Sequence, residues 1–318
     1  MLLTSNLNWP DLRKSLIFIF IFTFLCTVRI YSQSNVAFTF DDPHTKETPM
    51  LSWQERNKAI LQTLDKNQLQ ATLFVCGHRV NDANGHQLIS EWNDKKHAIA
   101  NHSFDHRYYH SNKFSYEDFK KDFLKNDSLI SGFTNYTKLF RFPYLKEGNT
   151  FDKRNSARAL MKHYYYKPGY VSIDASDWYV DKLLTDTLIE NPSADIKVYK
   201  ELYINHILER ANFYDSLATL LTGRKIKHIL LLHHNLTSAL FLNDLILAFK
   251  NKNWKTISSS DAWEDAIYNE FPDIVPAGES IIWALAKSSA EYETMLRYPG
   301  EDSAYEEVKF KEFIDARR

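Results

Sequence analysis

Short apolar runs alternate along this chain with longer stretches in which apolar and polar positions are mixed. Residues 36–40 (VAFTF), 71–76 (ATLFVC) and 228–232 (HILLL) contain almost no polar side chains, a pattern typical of strands that are covered on both faces. Residues 53–65 instead carry apolar side chains at the spacing of one helical face. Strands that alternate with helices in this way indicate parallel pairing and an α/β fold.

The same pattern predicts the other elements. Strands are expected at 36–40, 71–76, 97–101, 138–142, 170–173, 228–232 and 254–257. Helices are expected at 53–65, 88–96, 151–163, 194–221, 238–250 and 259–269, with a further helix after Ser115. Ser52 is the expected N-cap of the first helix, and Ser115 with Asp118 is expected to form a capping box.

Composition narrows the class of protein. The chain has 318 residues, 44% of them hydrophobic and 25% charged, which is ordinary for a globular protein with one large domain or two smaller ones. The net charge of −1 provides no general attraction to nucleic acid. We therefore expect no nucleic-acid partner, and the sequence indicates no protein partner.

The N-terminus has the layout of an export signal. Arg13 and Lys14 precede an apolar run at residues 16–26, and small residues follow at 32–34, as in a secretory signal peptide. The run is shorter than the roughly 20 residues that a membrane-spanning helix needs, although an uncleaved anchor is the alternative. We expect residues 1–34 to direct export to the periplasm, the cell surface or the medium.

Two further segments are expected after this leader. Residues 35–270 contain all the predicted strands and form the expected catalytic domain. Pro272, Pro276 and Gly278 indicate a change of structure, and residues 271–318 are expected to be a C-terminal extension to which the sequence assigns no role. Cys26 lies in the leader, so Cys76 is the one cysteine expected in the mature chain, where a buried apolar role suits it.

Polar residues that could do chemistry follow five of the predicted strands. The carboxyl ends of parallel barrel strands open on one face, where active sites are built. The residues concerned are Asp41 and Asp42, His102 and His106, Arg141 to Tyr144, Asp174 with Asp177 and Trp178, and His233 with His234.

His102 and His106 indicate a metal site. Their i, i+4 spacing lets both imidazoles face one point, and two histidines with one carboxylate are a common ligand set for a catalytic divalent metal. Taken singly, each motif has a simpler interpretation. The sequence Asp-Asp-Pro is ordinary turn chemistry, and the chain contains 12 histidines. The acid pair at a neighbouring strand end favours the metal.

The ordered set TFDD, H-S-x-x-H, R-x-P-Y, D-x-x-D-W and L-x-H between residues 36 and 269 resembles the five motifs of the polysaccharide deacetylases. These enzymes have the NodB homology domain and form carbohydrate esterase family 4. The resemblance implies a distorted (β/α)7–8 barrel and a hydrolase that uses a divalent metal to remove acetyl groups from an N-acetylated, peptidoglycan- or chitin-like polysaccharide. Zn²⁺ is the expected metal, with Co²⁺ or Ni²⁺ as alternatives.

Carried over to the first three motifs, the resemblance implies a base beside a metal. Asp41 would be the general base. Asp42, His102 and His106 would be the metal ligands, and Arg141 would orient the base. A metal held in this way lowers the pKa of a bound water from 15.7 toward ~7.

The resemblance also implies roles for residues of the later motifs. The backbone N–H of Tyr144 would help to hold the oxyanion, and Trp178 would wall the acetyl pocket. Asp177 would pair with the last histidine, which is the general acid. Strand alternation and the L-x-H match favour His233 over His234 for that role.

This sequence also departs from the family pattern. Pro43 and His44 stand where a glycine normally follows the acid pair, and the stretch 181–227 is long for a barrel connection. Three alternatives therefore stay open: a catalytically impaired carbohydrate-binding protein on the same barrel, an O-acetyl (xylan-type) esterase, and another metal hydrolase or oxygenase with the same ligand trio.

Overall fold

The computed structural model describes residues 33–298 and 303–317. The expected export signal therefore lies, up to residue 32, outside the described residues. Within the described ranges, no helix combines the length and the apolar composition needed to cross a membrane.

The fold is built from short strands that alternate with helices. The strands are β1 (Asn35–Asp41), β2 (Thr72–Val75), β3 (Ala98–Asn101), β4 (Tyr136–Phe140), β5 (Lys146–Gly148), β6 (Lys167–Pro168), β7 (Lys227–His233), β8 (Lys255–Thr256) and β9 (Ala277–Gly278). The helices are α1 (Trp53–Lys66), α2 (Ala83–Asp94), α3 (Tyr116–Ile130), α4 (Phe151–His163), α5 (Asp177–Glu190), α6 (Lys197–Thr222), α7 (Leu236–Asn251), α8 (Ser259–Trp263), α9 (Ile281–Ser288) and α10 (Glu307–Asp315).

A parallel sheet with the order β6-β4-β3-β2-β1-β7 forms the centre, and β8 pairs with the start of β1. The sheet curls into a half-barrel that is surrounded by helices. After β6, Ile173 forms a single parallel bridge to Leu230 of β7, the strand at the other end of the sheet. These features confirm the predicted α/β class and the distorted barrel. Buried residues of β1 and β7, such as Phe38 and Leu230, are fully covered, as the unbroken apolar runs predicted.

Local signals in the sequence predicted several helix starts. Ser52 caps α1 with its side chain. Ser115 and Asp118 form a reciprocal capping box, in which the Asp118 N–H donates to Ser115 Oγ at 3.2 Å and the Ser115 N–H donates to Asp118 Oδ2 at 3.2 Å. A cap of this kind stabilises a helix by about 1 kcal/mol.

The region around residue 170 differs from the prediction. A strand was expected at 170–173, but the ladder is limited to β6 at Lys167–Pro168 and the bridge at Ile173. The chain passes here from β4 to β7, so neither neighbour can form a continuous ladder with it. Helix α5 (Asp177–Glu190) was not expected from the sequence, and the helix expected at 194–221 is α6, Lys197–Thr222.

The C-terminal extension packs into the same core. Ile281, Ile282 and Phe310 are fully buried in the hydrophobic cluster that includes Phe38 and Leu230. Strand β9 pairs with β5 in antiparallel orientation. The described part of the extension therefore adds to the barrel core.

Candidate active site

The register of the sheet aligns the predicted motifs at its carboxyl edge. Asp41, the last residue of β1, stands opposite His233 of β7 on one side and Phe74 of β2 on the other. A cleft of ≈ 330 Å³ opens there. Its lining includes Asp41, Asp42, His102, His106, Tyr144, Trp178 and His233.

Asp42, His102 and His106 converge as the sequence predicted. One ligand atom from each lies within 4.8 Å of the other two, and His106 Nε2 is 3.2 Å from Asp42 Oδ2. His102 Nδ1 lies 2.9 Å from the carbonyl oxygen of Arg141. Since a carbonyl accepts only, Nδ1 carries the proton and Nε2 keeps its lone pair, which is the arrangement of a metal-binding histidine.

The electrostatics of this trio suit a cation. Burial lowers the pKa of His102 to about 4 and that of His106 to about 3, so both rings are neutral at pH 7. Burial alone would raise the pKa of Asp42, but His106, His102 and Arg79 outweigh it and lower the pKa to about 2. Asp42 Oδ1 is buried and accepts no hydrogen bond from the described residues, although Arg79 Nε forms an ion pair with it at 3.2 Å. A carboxylate and two neutral imidazoles therefore fit a divalent metal.

Arg141 holds Asp41 from below. Arg141 Nη1 donates to Asp41 Oδ1 at 2.5 Å and to Thr39 Oγ1 at 2.9 Å, and Nε donates to the carbonyl oxygen of Gly169 at 2.8 Å. The guanidinium also lies 3.8 Å from the centre of the Phe74 ring. Burial raises the pKa of Asp41 to about 6 although Arg141 lowers it. A carboxylate with a pKa near neutrality is suited to accept a proton.

His233 and Asp177 form a dyad on the opposite side of the cleft. His233 Nδ1 lies 2.7 Å from Asp177 Oδ1, and the His233 backbone N–H donates to Asp177 Oδ2 at 2.8 Å. Burial would lower the pKa of His233, but Asp177 outweighs it and raises the pKa to about 10. The imidazole is therefore protonated at neutral pH.

His234 has a different environment. It is fully buried, and its Nε2 lies 3.0 Å from Asn57 Oδ1. Its ring also packs against Trp92 with 6.2 Å between ring centroids. The structure thus pairs His233, the residue favoured by the sequence, with Asp177 and gives His234 a partner in α1.

Tyr144 and Trp178 line the same cleft. Tyr144 has φ 58 and the next residue, Leu145, has φ 56, a left-handed conformation that is rare for residues with a side chain and is concentrated at functional sites. Trp178 lies in the first turn of α5. Asp181, one turn further along α5, also reaches the lining, so the start of the long 181–227 connection contributes to the cleft wall.

Polar residues of β3 and α3, which were not identified from the sequence, hold the loop that carries His102 and His106. Asp122 Oδ1 accepts from the Asp105 N–H at 2.7 Å, and Asn101 Oδ1 accepts from the Ser103 N–H at 2.9 Å. Asn126 Nδ2 donates to Asn101 Oδ1 at 2.8 Å. Polar residues on the otherwise apolar face of α3 were the signal that could have revealed this support.

The unusual loop after the acid pair is held by α1. Arg56 is fully buried. Its Nη2 donates to the carbonyl oxygen of His44 at 2.6 Å and its Nη1 donates to that of Lys46 at 3.0 Å. Arg79, from the turn after β2, places its Nε 3.2 Å from Asp42 Oδ1. Neither arginine was identified from the sequence.

Comparison with known proteins finds a family model that matches part of the chain and solved structures that share its fold. A family model described as polysaccharide deacetylase matches residues 30–164. A solved CE4 family pseudoenzyme from Bacillus anthracis is 16% identical, with 74% of this chain and 66% of that chain covered and a TM-score of 0.50. A mutant of a CE4 family pseudoenzyme is 16% identical, with 74% and 68% covered and a TM-score of 0.52. The search of curated proteins found no match.

At these identities the solved structures show a shared fold and nothing finer. The family match includes the acid pair, both ligand histidines and the R-x-P-Y motif, while the Asp177–His233 dyad lies beyond it. Over residues 30–164 the chain is therefore similar to the polysaccharide deacetylase family.

Proposed function

We propose that this protein is an exported, metal-dependent hydrolase that removes acetyl groups from an N-acetylated glycan of the peptidoglycan or chitin type. One observation carries the proposal. A single cleft brings together the Asp41–Arg141 pair, a trio of metal-ligand side chains and the protonated histidine of the Asp177–His233 dyad.

Asp42, His102 and His106 would hold the metal, with Zn²⁺ as the first candidate and Co²⁺ or Ni²⁺ as alternatives. When bound, the ion would supply an acidified water and polarise the acetyl carbonyl. His102 is fixed for this role by its hydrogen bond to the Arg141 carbonyl oxygen, so ligand geometry and base position depend on the same residue.

Asp41 would take a proton from the attacking water as the oxygen adds to the acetyl carbon. Its pKa of about 6 keeps it deprotonated at neutral pH yet able to accept the proton. Arg141 keeps one carboxylate oxygen engaged, which leaves the other toward the cleft. The Tyr144 backbone N–H would donate to the oxygen on which negative charge develops.

His233 would complete the reaction by protonating the leaving nitrogen. The C–N bond then breaks, and the products are acetate and the free amine of the sugar. An amide nitrogen is a poor leaving group unless it is protonated, so an acid that stays charged at neutral pH is needed. The raised pKa of His233 beside Asp177 meets this need.

Tyr144 in the cleft lining and Tyr108, which packs beside it, support a glycan substrate. Tyr144 is 43% exposed and Tyr108 is 44% exposed. Their rings are 5.6 Å apart in an edge-on arrangement, and the Tyr144 ring lies 4.7 Å from that of His106. Exposed aromatic faces of this kind can pack against the apolar faces of sugar rings.

The proposal is tested by acetate release. Purified protein loaded with Zn²⁺ should release acetate from chitooligosaccharides or peptidoglycan, a chelator should abolish the release, and added Zn²⁺ should restore it. Acetylated xylan in the same panel distinguishes amide from ester cleavage. Absence of acetate from all three substrates would contradict the proposed activity. Sequencing the mature N-terminus of the exported protein tests the role of residues 1–34.

A glycan-binding protein without turnover is the second candidate. It is favoured by Arg79, whose Nε stands 3.2 Å from Asp42 Oδ1 and adds a positive charge beside the metal ligands. Under this alternative, Asp41→Asn would bind chitooligosaccharides as wild type does and would have no activity to lose. Under the leading proposal, the same substitution abolishes acetate release while binding is retained.

A further inference from the structure

The C-terminal segment buries an ion pair against α6. Glu306 and Arg210 are both fully buried, and Arg210 Nη2 donates to Glu306 Oε1 at 2.6 Å. Phe310, also fully buried, packs its ring 4.8 Å from that of His206 on α6 and 5.7 Å from that of Tyr179 on α5. The C-terminal segment therefore fixes His206 in place and reaches the helix that begins with Asp177.

His206 in turn holds the backbone just before Asp177. The Ser176 N–H donates to His206 Nε2 at 3.1 Å. Since a backbone N–H only donates, His206 Nε2 carries a lone pair and the ring is neutral. Burial and the neighbouring Arg210 lower the pKa of His206 to about 3, which agrees with that state. Glu306 Oε1, 3.8 Å from Nε2, consequently pairs with Arg210 rather than with His206.

The contacts extend from His206 through Ser176 and Asp177 to His233 in the cleft. Ser176 is the residue before Asp177, and Asp177 accepts two hydrogen bonds from His233, one from the backbone and one from the ring. A displacement of the Ser176 backbone would move Asp177 and change the orientation of the imidazole. Misplacement by about 1 Å can cost on the order of 100-fold in rate.

We propose that His206 is a positioning residue for the Asp177–His233 dyad, and that the C-terminal segment, residues 303–317, keeps His206 in that role. This inference rests on the proposed function, because it requires His233 to be the proton donor. It gives the C-terminal extension a function in catalysis, although the extension lies outside the residues that match the family model.

Two substitutions at one position test the inference. His206→Phe keeps an aromatic ring against Phe310 but removes the acceptor for the Ser176 N–H. His206→Gln places an amide oxygen near the position of Nε2 and restores the acceptor. On an N-acetylated chitooligosaccharide, we expect His206→Phe to lower kcat about 10- to 100-fold with little change in KM. His206→Gln should recover most of that loss.

Two substrates with different leaving groups distinguish a positioning role of His206 from a general loss of active-site structure. An activated aryl acetate leaves without protonation, so its hydrolysis needs Asp41 and the metal but not His233. His206→Phe should therefore spare p-nitrophenyl acetate hydrolysis while it slows the amide substrate. Phe310→Leu, which loosens the packing on His206, should show a smaller selective loss of the same kind.

His97→Phe is the matched control. His97 is also buried and also accepts a backbone N–H, that of Ala71, at 3.1 Å, but it lies between β2 and α2. Its substitution should change both substrates by the same factor. If His206→Phe lost the same activity on both substrates, or kept its kcat on the amide, the inference would be overturned. Acetate release by the wild-type protein would still support the proposed function.

An NMR measurement tests the positioning role even if the wild-type protein releases no acetate. The proton on His233 Nδ1, hydrogen-bonded to Asp177 at 2.7 Å, should give a low-field NMR resonance in wild type and in His206→Gln. The resonance should shift or vanish in His206→Phe. If it is identical in all three proteins, the positioning role is refuted whatever the enzyme's activity.

Discussion

In the proposed reaction, two ionisable side chains of the cleft have opposite charge requirements. Asp41 would have to be deprotonated to accept a proton, and His233 would have to be protonated to donate one. Burial raises the pKa of Asp41 to about 6, and Asp177 outweighs burial to raise the pKa of His233 to about 10. The two pKa values are thus displaced in the directions that keep both groups in their working states at neutral pH.

These displacements predict a bell-shaped pH dependence of kcat/KM. Activity should fall as the pH drops below about 6, where Asp41 gains a proton, and should fall again above about 10, where His233 loses one. A bound cation favours the carboxylate, so it moves the acidic limb to lower pH. Asp177→Asn removes the charge that raises the pKa of His233 and should move the alkaline limb down by several units. An alkaline limb that stays in place in Asp177→Asn would contradict this assignment.

At the scale of single elements, α3 supports the candidate metal site. Asn126 is fully buried and donates to the Val75 carbonyl oxygen at 2.7 Å and to Asn101 Oδ1 at 2.8 Å. Asn101 Oδ1 then accepts from the Ser103 N–H in the loop that presents both histidines. A helix that was predicted from its capping box and its apolar stripe therefore also sets the geometry of two ligands.

Asn126→Leu should weaken metal binding. The substitution keeps the branched shape of the side chain but removes one of the two donors to Asn101 Oδ1, and loss of such outer contacts typically costs about 10- to 100-fold in metal affinity. Competition with a chromophoric chelator measures the Kd for Zn²⁺ directly. Ile130→Val is the control on the same helix, since Ile130 is fully buried in the hydrophobic core and its apolar side chain has no part in the Asn101 hydrogen bonds. Equal affinities in Asn126→Leu and wild type would argue against this support.

The loop between His106 and α3 places Tyr108 beside Tyr144, which lines the cleft. If this ring binds the sugar next to the one that is deacetylated, Tyr108→Ala should raise KM for a tetrasaccharide about 2- to 10-fold. It should leave KM for the monosaccharide unchanged, since a single sugar does not reach Tyr108.

Tyr165→Ala is the matched control for this test, because Tyr165 is 84% exposed and lies in the turn after α4, whereas Tyr108 packs against the cleft residue Tyr144. It should alter neither KM value. A Tyr108→Ala variant with the same KM as wild type for both chain lengths would remove Tyr108 from the substrate-binding surface.

At the scale of the whole molecule, buried neutral histidines link folding to pH. His97 accepts a backbone N–H, and burial lowers its pKa from 6.5 to about 4. In the unfolded chain His97 therefore becomes protonated below pH 6.5, whereas in the folded chain it becomes protonated only below about pH 4. The stability that this histidine supports is complete above pH 6.5 and is lost as the pH falls through that window.

This linkage predicts that the metal-free protein loses stability in mild acid. Between pH 7 and pH 5, His97 alone should lower the free energy of unfolding by about 2 kcal/mol. Urea unfolding at the two pH values measures the loss, and His97→Gln should show a loss smaller by about that amount. The same pH dependence in His97→Gln and wild type would show that His97 is not responsible.

Local chemistry was enough to predict much of this protein. Side-chain spacing along the chain predicted the strands, the capping box at Ser115 and the five motifs. Strands and helix N-termini form where residues of suitable type follow one another at the right spacing. The convergence of Asp42, His102 and His106 followed because carboxyl ends of parallel strands share one edge. The same reasoning selected His233 over His234 through strand alternation.

Tertiary structure alone decided the rest. Helix α5, which begins at Asp177, was not predicted. The other unpredicted features are contacts between residues distant in sequence: Asn126 with Asn101, Arg79 with Asp42, and the C-terminal segment with His206. No local pattern specifies such contacts, because a buried polar side chain takes its partner from whichever element the fold packs against it.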